Sequence, residues 1–266
     1  MARSAIINVM VQAAMKAGRS LSRDFGEVQN LQVSMKGPGD FVSQADRKAE
    51  EIIHSELSRA RPDYSFLMEE SGEVAGADSQ HRFIVDPLDG TTNFLHGIPM
   101  FAISIGLERQ GQMVAGVIYN PAMDELYTAE RGGGAFVNDR RLRVAGRRKL
   151  TDCVIGTGIP HLGRGDHGKF LIEMRHVMGE VSGVRRMGAA SLDLAYVAAG
   201  RLDGFWETGL QPWDMAAGLL MIREAGGFVS DMSGGQDMLE SGGIVAGNEI
   251  IQKALLAQIS KPYIKA

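Results

Sequence analysis

The chain has 266 residues, 44% hydrophobic and 23% charged, with a formal net charge of −4; that is enough to bury a sizeable core. The acidic balance gives no global attraction to nucleic acid or anionic membrane, so binding an anion requires local cations or a metal. A single cysteine, Cys153, excludes an internal disulfide framework and a Cys-rich zinc site, and no uncharged apolar stretch is long enough to span a bilayer. Asn8, Gln12 and Lys16 interrupt the apolar run of Ala5 to Ala17, unlike a signal-peptide core, and a cytoplasmic protein is expected.

Ile6, Val9, Met10, Ala13, Ala17 and Leu21 recur at helical spacing and predict an amphipathic helix from Ala5 to Phe25. A turn is expected at Lys36-Gly37-Pro38-Gly39-Asp40, then a helix over Ala45 to Ala60, opened by Ser43 and closed before Pro62. Ser65 to Met68 and Phe83 to Val85 are short apolar runs that suit buried strands. Strands are expected at Phe101–Leu107, Met113–Tyr119, Glu125–Ala129 and Gly134–Val137. Beyond them, helices near His167–Met178, Ser191–Ala199, Trp213–Ala225 and Asn248–Ser260 alternate with strands near Val154, Phe205, Phe228 and Ile244. The mixture, with no long linker, predicts an α/β protein of layered sheets covered by helices. It reads as one domain over 1–266, made of two closely packed halves that meet near 145–152.

The chemistry concentrates in Val85-Asp86-Pro87-Leu88-Asp89-Gly90-Thr91-Thr92-Asn93. A strand runs into two carboxylates; Pro87 stiffens the turn expected between them, and Gly90 allows a ligand to approach the backbone closely. If Thr91 and Thr92 open a short helix, its N–H groups offer an anion site. Carboxylates beside bound phosphate need cations between them, and hard Mg²⁺ with oxygen ligands suits that position. Glu69-Glu70-Ser71 follows another strand candidate, and Trp213-Asp214-Met215-Ala216-Ala217-Gly218 sets a carboxylate at a helix start. Taken singly, each has a bland explanation: a solvated acidic loop for Glu69, a helix cap for Asp214, a capping box from Ser43 for Asp46.

Together these segments resemble the inositol monophosphatase family of Mg²⁺-dependent, lithium-sensitive phosphatases. The run at 86–93, Trp-Asp-x-Ala-Ala-Gly at 213–218 and the glutamates at 69–70 all match. Asp40-Phe41-Val42 and the run from Leu192 to Gly200 are similar to bacterial SuhB-like members. The resemblance implies the alternating α/β/α/β/α sandwich of the sugar-phosphatase superfamily, and a homodimer. It implies that Glu69, Asp86, the Leu88 carbonyl, Asp89 and Asp214 hold the metals, with Glu69 also counted among the catalytic groups. Thr91, supported by Asp46, would position and deprotonate the attacking water, while Gly90 and Thr91 hold phosphate oxygens through backbone N–H groups. Gly188 and Ala189 match positions near the substrate, Ala189 standing where some relatives have threonine. Asp193 and Glu207 are candidates for the polyol hydroxyls, Glu207 the better one, and Lys36 matches a loop position near the metals. The implied reaction is hydrolysis of a small polyol phosphate, inositol 1-phosphate before histidinol phosphate or other sugar phosphates.

The histidines, His54, His81, His96, His161, His167 and His176, show no metal-ligand spacing and are assigned to surface or packing roles. Cys153 is expected to be a buried structural thiol. Arg140-Arg141-Leu142-Arg143 and Arg147-Arg148-Lys149 read as a solvated hairpin edge. RNA or the transcription machinery is the alternative partner, since some SuhB-like members act in antitermination.

Overall fold

The computed structural model describes residues 3–27, 33–37, 40–161, 163 and 165–262, and of 33–37 and 40–43 the backbone alone. Pro38, Gly39 and the side chains of Lys36, Asp40, Phe41, Val42 and Ser43 therefore lie outside the described residues. In chain order the elements begin with α1 (Ala5–Phe25), β1 (Val33–Gly37), β2 (Asp40–Ser43) and α2 (Gln44–Ala60). There follow β3 (Tyr64–Met68), β4 (Gly72–Val74), β5 (Asp78–Asp89), α3 (Thr91–Leu95), β6 (Ala102–Arg109), β7 (Gln112–Asn120), β8 (Glu125–Glu130), β9 (Gly134–Val137) and β10 (Arg140–Arg141). The rest of the chain gives β11 (Val154–Thr157), α4 (His167–Met178), β12 (Gly183–Arg185), α5 (Ala190–Ala198), β13 (Gly204–Thr208) and α6 (Pro212–Glu224). It ends with β14 (Phe228–Ser230), α7 (Met238–Ser241), β15 (Gly243–Gly247) and α8 (Glu249–Ile259).

Two large sheets carry the fold. The first has the order β10-β9-β8-β7-β6-β5-β3-β4, the second β12-β11-β13-β15-β14. Within the first sheet β3 and β5 run parallel, while β5 to β10 form an antiparallel meander. β5 extends well beyond the expected Phe83–Val85, because its polar start pairs with β6 as far as His81↔Arg109. Pairing across the sheet overrides local hydropathy there.

Three cores fill the interfaces of five layers in the expected α/β/α/β/α order, one of them spanning both sides of the middle helix layer. On one face of the first sheet, Phe83, Val85, Ile103, Ile105 and Val117 pack with Met10, Ala17 and Leu21 of α1 and Ile53 and Leu57 of α2. Its other face, with Ile84, Ala102 and Ile118, meets α5 and α6, which also cover Phe205, Ile244 and Ala246 of the second sheet. Beyond that sheet, Ile155, Trp206 and Val245 pack on Val177 of α4 and Ile251 and Leu255 of α8. Both faces of the central strands are covered, so β6 and β7 are almost wholly buried.

Small residues decide how close α6 comes to the first sheet. A methyl added at Gly106 would lie 2.8 Å from Ala216 Cβ, at Gly116 3.1 Å from Ala217 Cα, and at Gly218 2.6 Å from Leu194 of α5. The Ala216-Ala217-Gly218 part of the Trp-Asp motif thus lets α6 lie between the sheet and α5 at near-minimal distance. The Ser104 hydroxyl donates to the Trp213 carbonyl at 3.1 Å, fixing the helix start over β6.

Cys153 is buried. Its thiol donates to the Lys149 carbonyl at 3.1 Å, and burial pushes it up to about 11, which makes it a structural thiol. Of the basic cluster, Arg140 and Arg141 form the edge strand β10. Arg141 stands over the Phe136 ring and Arg147 pairs with Asp203 at 3.0 Å.

Candidate active site

The first carboxylates come from an irregularity in β5. Against β6, Asp86 pairs with Ser104 and Asp89 with Ala102, so three steps along β5 match two along β6. In a regular strand, residues three apart face opposite sides; one extra residue restores parity and turns both aspartates to the same face. Pro87 has no N–H to give the ladder, and the Leu88 N–H donates to Asp86 Oδ1 at 2.9 Å instead. The sequence suggested a turn between these carboxylates; the structure places them inside a bulged strand. They look toward α6, whose first turn carries Asp214. Asp214 Oδ2 accepts from the Gln211 N–H at 2.7 Å, the helix-capping role expected of an aspartate here. The same side chain joins the cluster: carboxylate oxygens of Asp86, Asp89 and Asp214 lie within 4.8 Å of one another. Glu69, just past β3, lines the same cleft.

Asp89 is held from α5. Its Oδ2 accepts from the Ser191 N–H at 2.7 Å and the Ser191 hydroxyl at 2.5 Å. Opposite, the Thr91 hydroxyl has the Asp46 carboxylate at 3.0 Å and the Leu88 carbonyl at 3.1 Å as acceptors in reach. Asp46 is fully buried on α2, and the Ser43 side chain of the expected capping box lies outside the described residues. One turn along the same helix face, Glu50 Oε2 accepts from the Glu70 N–H at 2.8 Å. α2 thus braces both the Thr91 hydroxyl and the Glu69-Glu70 turn.

Gly90 precedes α3 with φ +90°, and a side chain there would meet the Met100 carbonyl at 2.8 Å and Ala189 Cβ at 3.1 Å. Glycine is required on both grounds. The Asn93 amide donates to the carbonyls of Met100 (2.7 Å) and Met187 (2.9 Å), tying α3 to the chain that leads to Gly188 and Ala189. The resulting cleft, about 170 Å³, is lined by Glu69, Asp86, Leu88, Asp89, Gly90, Thr91, Gly188, Ala189, Glu207 and Asp214, and also by Arg186 and His161. Asp193 does not line it. That residue is buried behind, with Oδ1 lacking a hydrogen-bond partner.

The electrostatics are those of crowded acids. Burial, then the charges of Glu69, Asp89 and Asp214, hold the Asp86 carboxyl well above the usual carboxylate range. Burial raises Asp89 to about 6 against the pull of the Ser191 hydrogen bonds. Asp214 rises to about 8 through burial and the nearby Asp89. Glu207 also reaches about 8, through burial and the charges of Asp214 and Asp89. Such a cluster is costly when ionised and invites a cation. Its donors are all oxygen, without sulfur or imidazole in the carboxylate group, which suits a hard divalent ion such as Mg²⁺.

The family model for the inositol monophosphatase family matches residues 2–264. The chain belongs to the inositol monophosphatase family. An inositol-1-monophosphatase of Mesorhizobium japonicum is 80% identical over 262 residues, 98% of each chain. A Nus factor SuhB of Pseudomonas aeruginosa is 45% identical, with 97% of each chain covered. The crystal structure of the extragenic suppressor protein suhB from Bartonella henselae superposes with a TM-score of 0.96 at 70% identity, covering 98% of this chain and 100% of that one. The likeness to bacterial SuhB proteins expected from the sequence holds across the whole length.

Within this family framework, the structure gathers Asp46, Glu69, Asp86, Leu88, Asp89, Gly90, Thr91, Gly188, Ala189, Glu207 and Asp214 around one cleft. Sequence reasoning missed Ser191, Glu50 and Asn93 as supports, and His161 as a cleft residue. Of the other histidines, His54 packs edge-on against Phe66, and His81 stacks on Tyr64 and meets Asp78 at 2.7 Å. The Glu50 contact carries a prediction. Glu50→Ala, which removes the acceptor, is expected to weaken activation by the proposed metal by roughly tenfold, the scale of lost outer-shell support, with turnover restored at saturating metal. A titration of activity against Mg²⁺ that leaves half-activation unchanged would remove Glu50 from this role.

Proposed function

We propose that the protein hydrolyses a small polyol phosphate monoester, foremost inositol 1-phosphate, to the free polyol and inorganic phosphate in a Mg²⁺-dependent reaction. The observation that carries this reading is the set of Asp86, Asp89 and Asp214 carboxylates facing the Thr91–Asp46 pair across one cleft. Glu69, Asp86, the Leu88 carbonyl, Asp89 and Asp214 would hold the ions. Bound Mg²⁺ supplies the charge that lets a phosphate dianion sit beside these carboxylates and favours deprotonation of water.

The chain's own groups do the rest. The Thr91 hydroxyl orients a water for in-line attack on phosphorus, with Asp46 Oδ1 behind it to take up the proton. The N–H groups of Gly90 and Thr91, at a helix start, hold the non-bridging oxygens. As the P–O ester bond breaks, the leaving alkoxide takes a proton from solvent water, to which Asp46 returns the proton it accepted, and the alcohol departs past Gly188 and Ala189. Glu207 meets the polyol hydroxyls. Phosphate-monoester hydrolysis is among the slowest uncatalysed reactions, so positioning and charge compensation must act together.

The test is phosphate release from inositol 1-phosphate by the purified protein, with Mg²⁺ and after chelation. Fast release that stops on chelation and returns with Mg²⁺ is expected; folded protein that releases none in Mg²⁺ would refute the reading. A cytoplasmic, lithium-sensitive homodimer is the form this reading takes by family likeness. The relative named a Nus factor supports a second role, contact with RNA or transcription proteins, and the exposed arginines of 140–149 are its candidate surface.

A further inference from the structure

β11 ends in Gly156-Thr157 and Gly158 follows it, and the two glycines, two residues apart, open toward two carboxyls. A methyl at Gly156 would lie 3.1 Å from Asp193 Oδ1; one at Gly158 would lie 1.7 Å from Glu207 Oε1 and 1.9 Å from its Cδ. Real Cβ atoms do not come as close as the two contacts at Gly158, so the Glu207 carboxyl occupies the volume that any side chain at 158 would fill. Gly158 is outside the left-handed region of φ, and alanine would suit its backbone. What requires glycine there is the carboxyl.

The far end of the flexible Glu207 side chain, rather than its backbone, would have to turn out of that slot. Glu207 leaves the end of β13, which is paired on both sides, to β11 at Trp206 and to β15 at Ile244 and Gly243. Asp193, buried and with an unpartnered oxygen, lies behind it. Among the described residues no protein group hydrogen-bonds the Glu207 carboxyl, which faces the cleft with Arg186, Asp89 and Asp214 as its charged neighbours. Its hydrogen-bonding capacity is left for a ligand, and a site built to hydrogen-bond a hydroxyl discriminates strongly against substrates that lack it.

We propose that Gly158 is a specificity-determining residue: it is the slot that seats Glu207 against the leaving group, so the enzyme's preference for hydroxyl-bearing phosphate esters depends on the absence of a side chain at 158. Gly158 acts through Glu207 and is a positioning residue, not a catalytic one. The proposal rests on the reading of Glu207 given above.

The experiment compares wild type, Gly158→Ala, Glu207→Ala and the double variant, each with Mg²⁺, on inositol 1-phosphate and on 4-nitrophenyl phosphate, whose leaving group carries no further hydroxyl. The readout is the ratio of kcat/KM for the two esters. Glu207→Ala is expected to lower that ratio by about 10- to 100-fold, the scale of a lost hydrogen bond to a charged or buried group. Gly158→Ala should lower it equally, and the double variant should fall no further, since the emptied slot accommodates the methyl. If Gly158→Ala misfolds, the double variant is expected to recover folded protein with the ratio of Glu207→Ala. An unchanged ratio in Gly158→Ala, additive losses in the double variant, or a double variant that stays unfolded would overturn the proposal. A ratio unmoved by Glu207→Ala would instead overturn the underlying assignment of Glu207, and the two failures are read from different variants.

Discussion

Asp89→Asn is expected to lower phosphate release by more than about 100-fold while the protein keeps its fold and its metal-free melting temperature. Loss of an outer-shell partner costs about 10- to 100-fold at metal sites, and Asp89 is proposed to bind the ion directly. Asparagine keeps a carbonyl oxygen to accept from the Ser191 N–H and hydroxyl, which reach Asp89 at 2.7 and 2.5 Å. It also removes one charge from a group whose members raise each other's pKa, so repulsion within the cleft falls. Asp214→Asn follows the same logic, its carbonyl retaining the bond from the Gln211 N–H. Both should lose the rise in melting temperature that Mg²⁺ gives the parent protein. Either variant turning over at more than a tenth of the parental rate in saturating Mg²⁺ would contradict the ligand assignment. The same proteins separate the two proposed roles, since transcription-related binding that survives Asp89→Asn does not depend on catalysis.

The second large effect is a pH dependence that metal reverses. In the unfolded chain these carboxyls titrate near 4; in the folded, metal-free protein Asp89 is raised to about 6, Asp214 and Glu207 to about 8, and Asp86 well above its ordinary value. A raised carboxyl contributes stability that is complete below its unfolded pKa and is lost as pH rises through its folded value. The metal-free melting temperature should therefore fall between about pH 4 and 8. Metal ions require the ionised carboxylates and displace their protons, so stabilisation by Mg²⁺ should grow over the same range. At 100 times its dissociation constant the ion adds about 2.7 kcal/mol, or roughly 5–10 °C for a chain this size. Asp231 works in the opposite sense: hydrogen bonds from the Ser233 hydroxyl and from the backbone of Ser233, Gly235 and Asp237 lower it to about 2. Its contribution is present above about pH 4 and lost as pH falls toward 2. Melting curves at pH 5.5, 7 and 8.5, with Mg²⁺ and with chelator, check this. A metal-free melting temperature that rises across that span, or a Mg²⁺ gain independent of pH, would count against the raised pKa values.

Much of the fold was legible because its signals are local. α1, α4 and α6 lie within a residue of the expected boundaries, since helical periodicity and a Pro at the first helical position are written in consecutive residues. The short strands β4, β10 and β12 were not anticipated: β4 and β10 are the brief returning arms of tight hairpins on β3 and β9, too short to show an alternating pattern, and β12 is defined by pairing with β11 across α4. The same division holds at the cleft. The motif residues announced themselves, but the bulge that brings Asp86 and Asp89 to one face is a matter of register with β6. Ser191 lies 102 residues from Asp89, and no local pattern marks it as a partner. Ala216-Ala217-Gly218 sits inside a signature yet acts through volume, which only the contacts with Gly106, Gly116 and Leu194 reveal.

The placement of Asp214 on α6 also fixes when the proposed ion site can form during synthesis. Asp86 and Asp89 leave the ribosome early with the first sheet, but their third carboxylate arrives some 125 residues after Asp89. It is aimed only once α6 has settled between that sheet and α5. A nascent or truncated chain can complete the meander and still lack the cluster. Capture of the proposed divalent ion would thereby be a late event, one that reports that the first sheet and α6 have found each other.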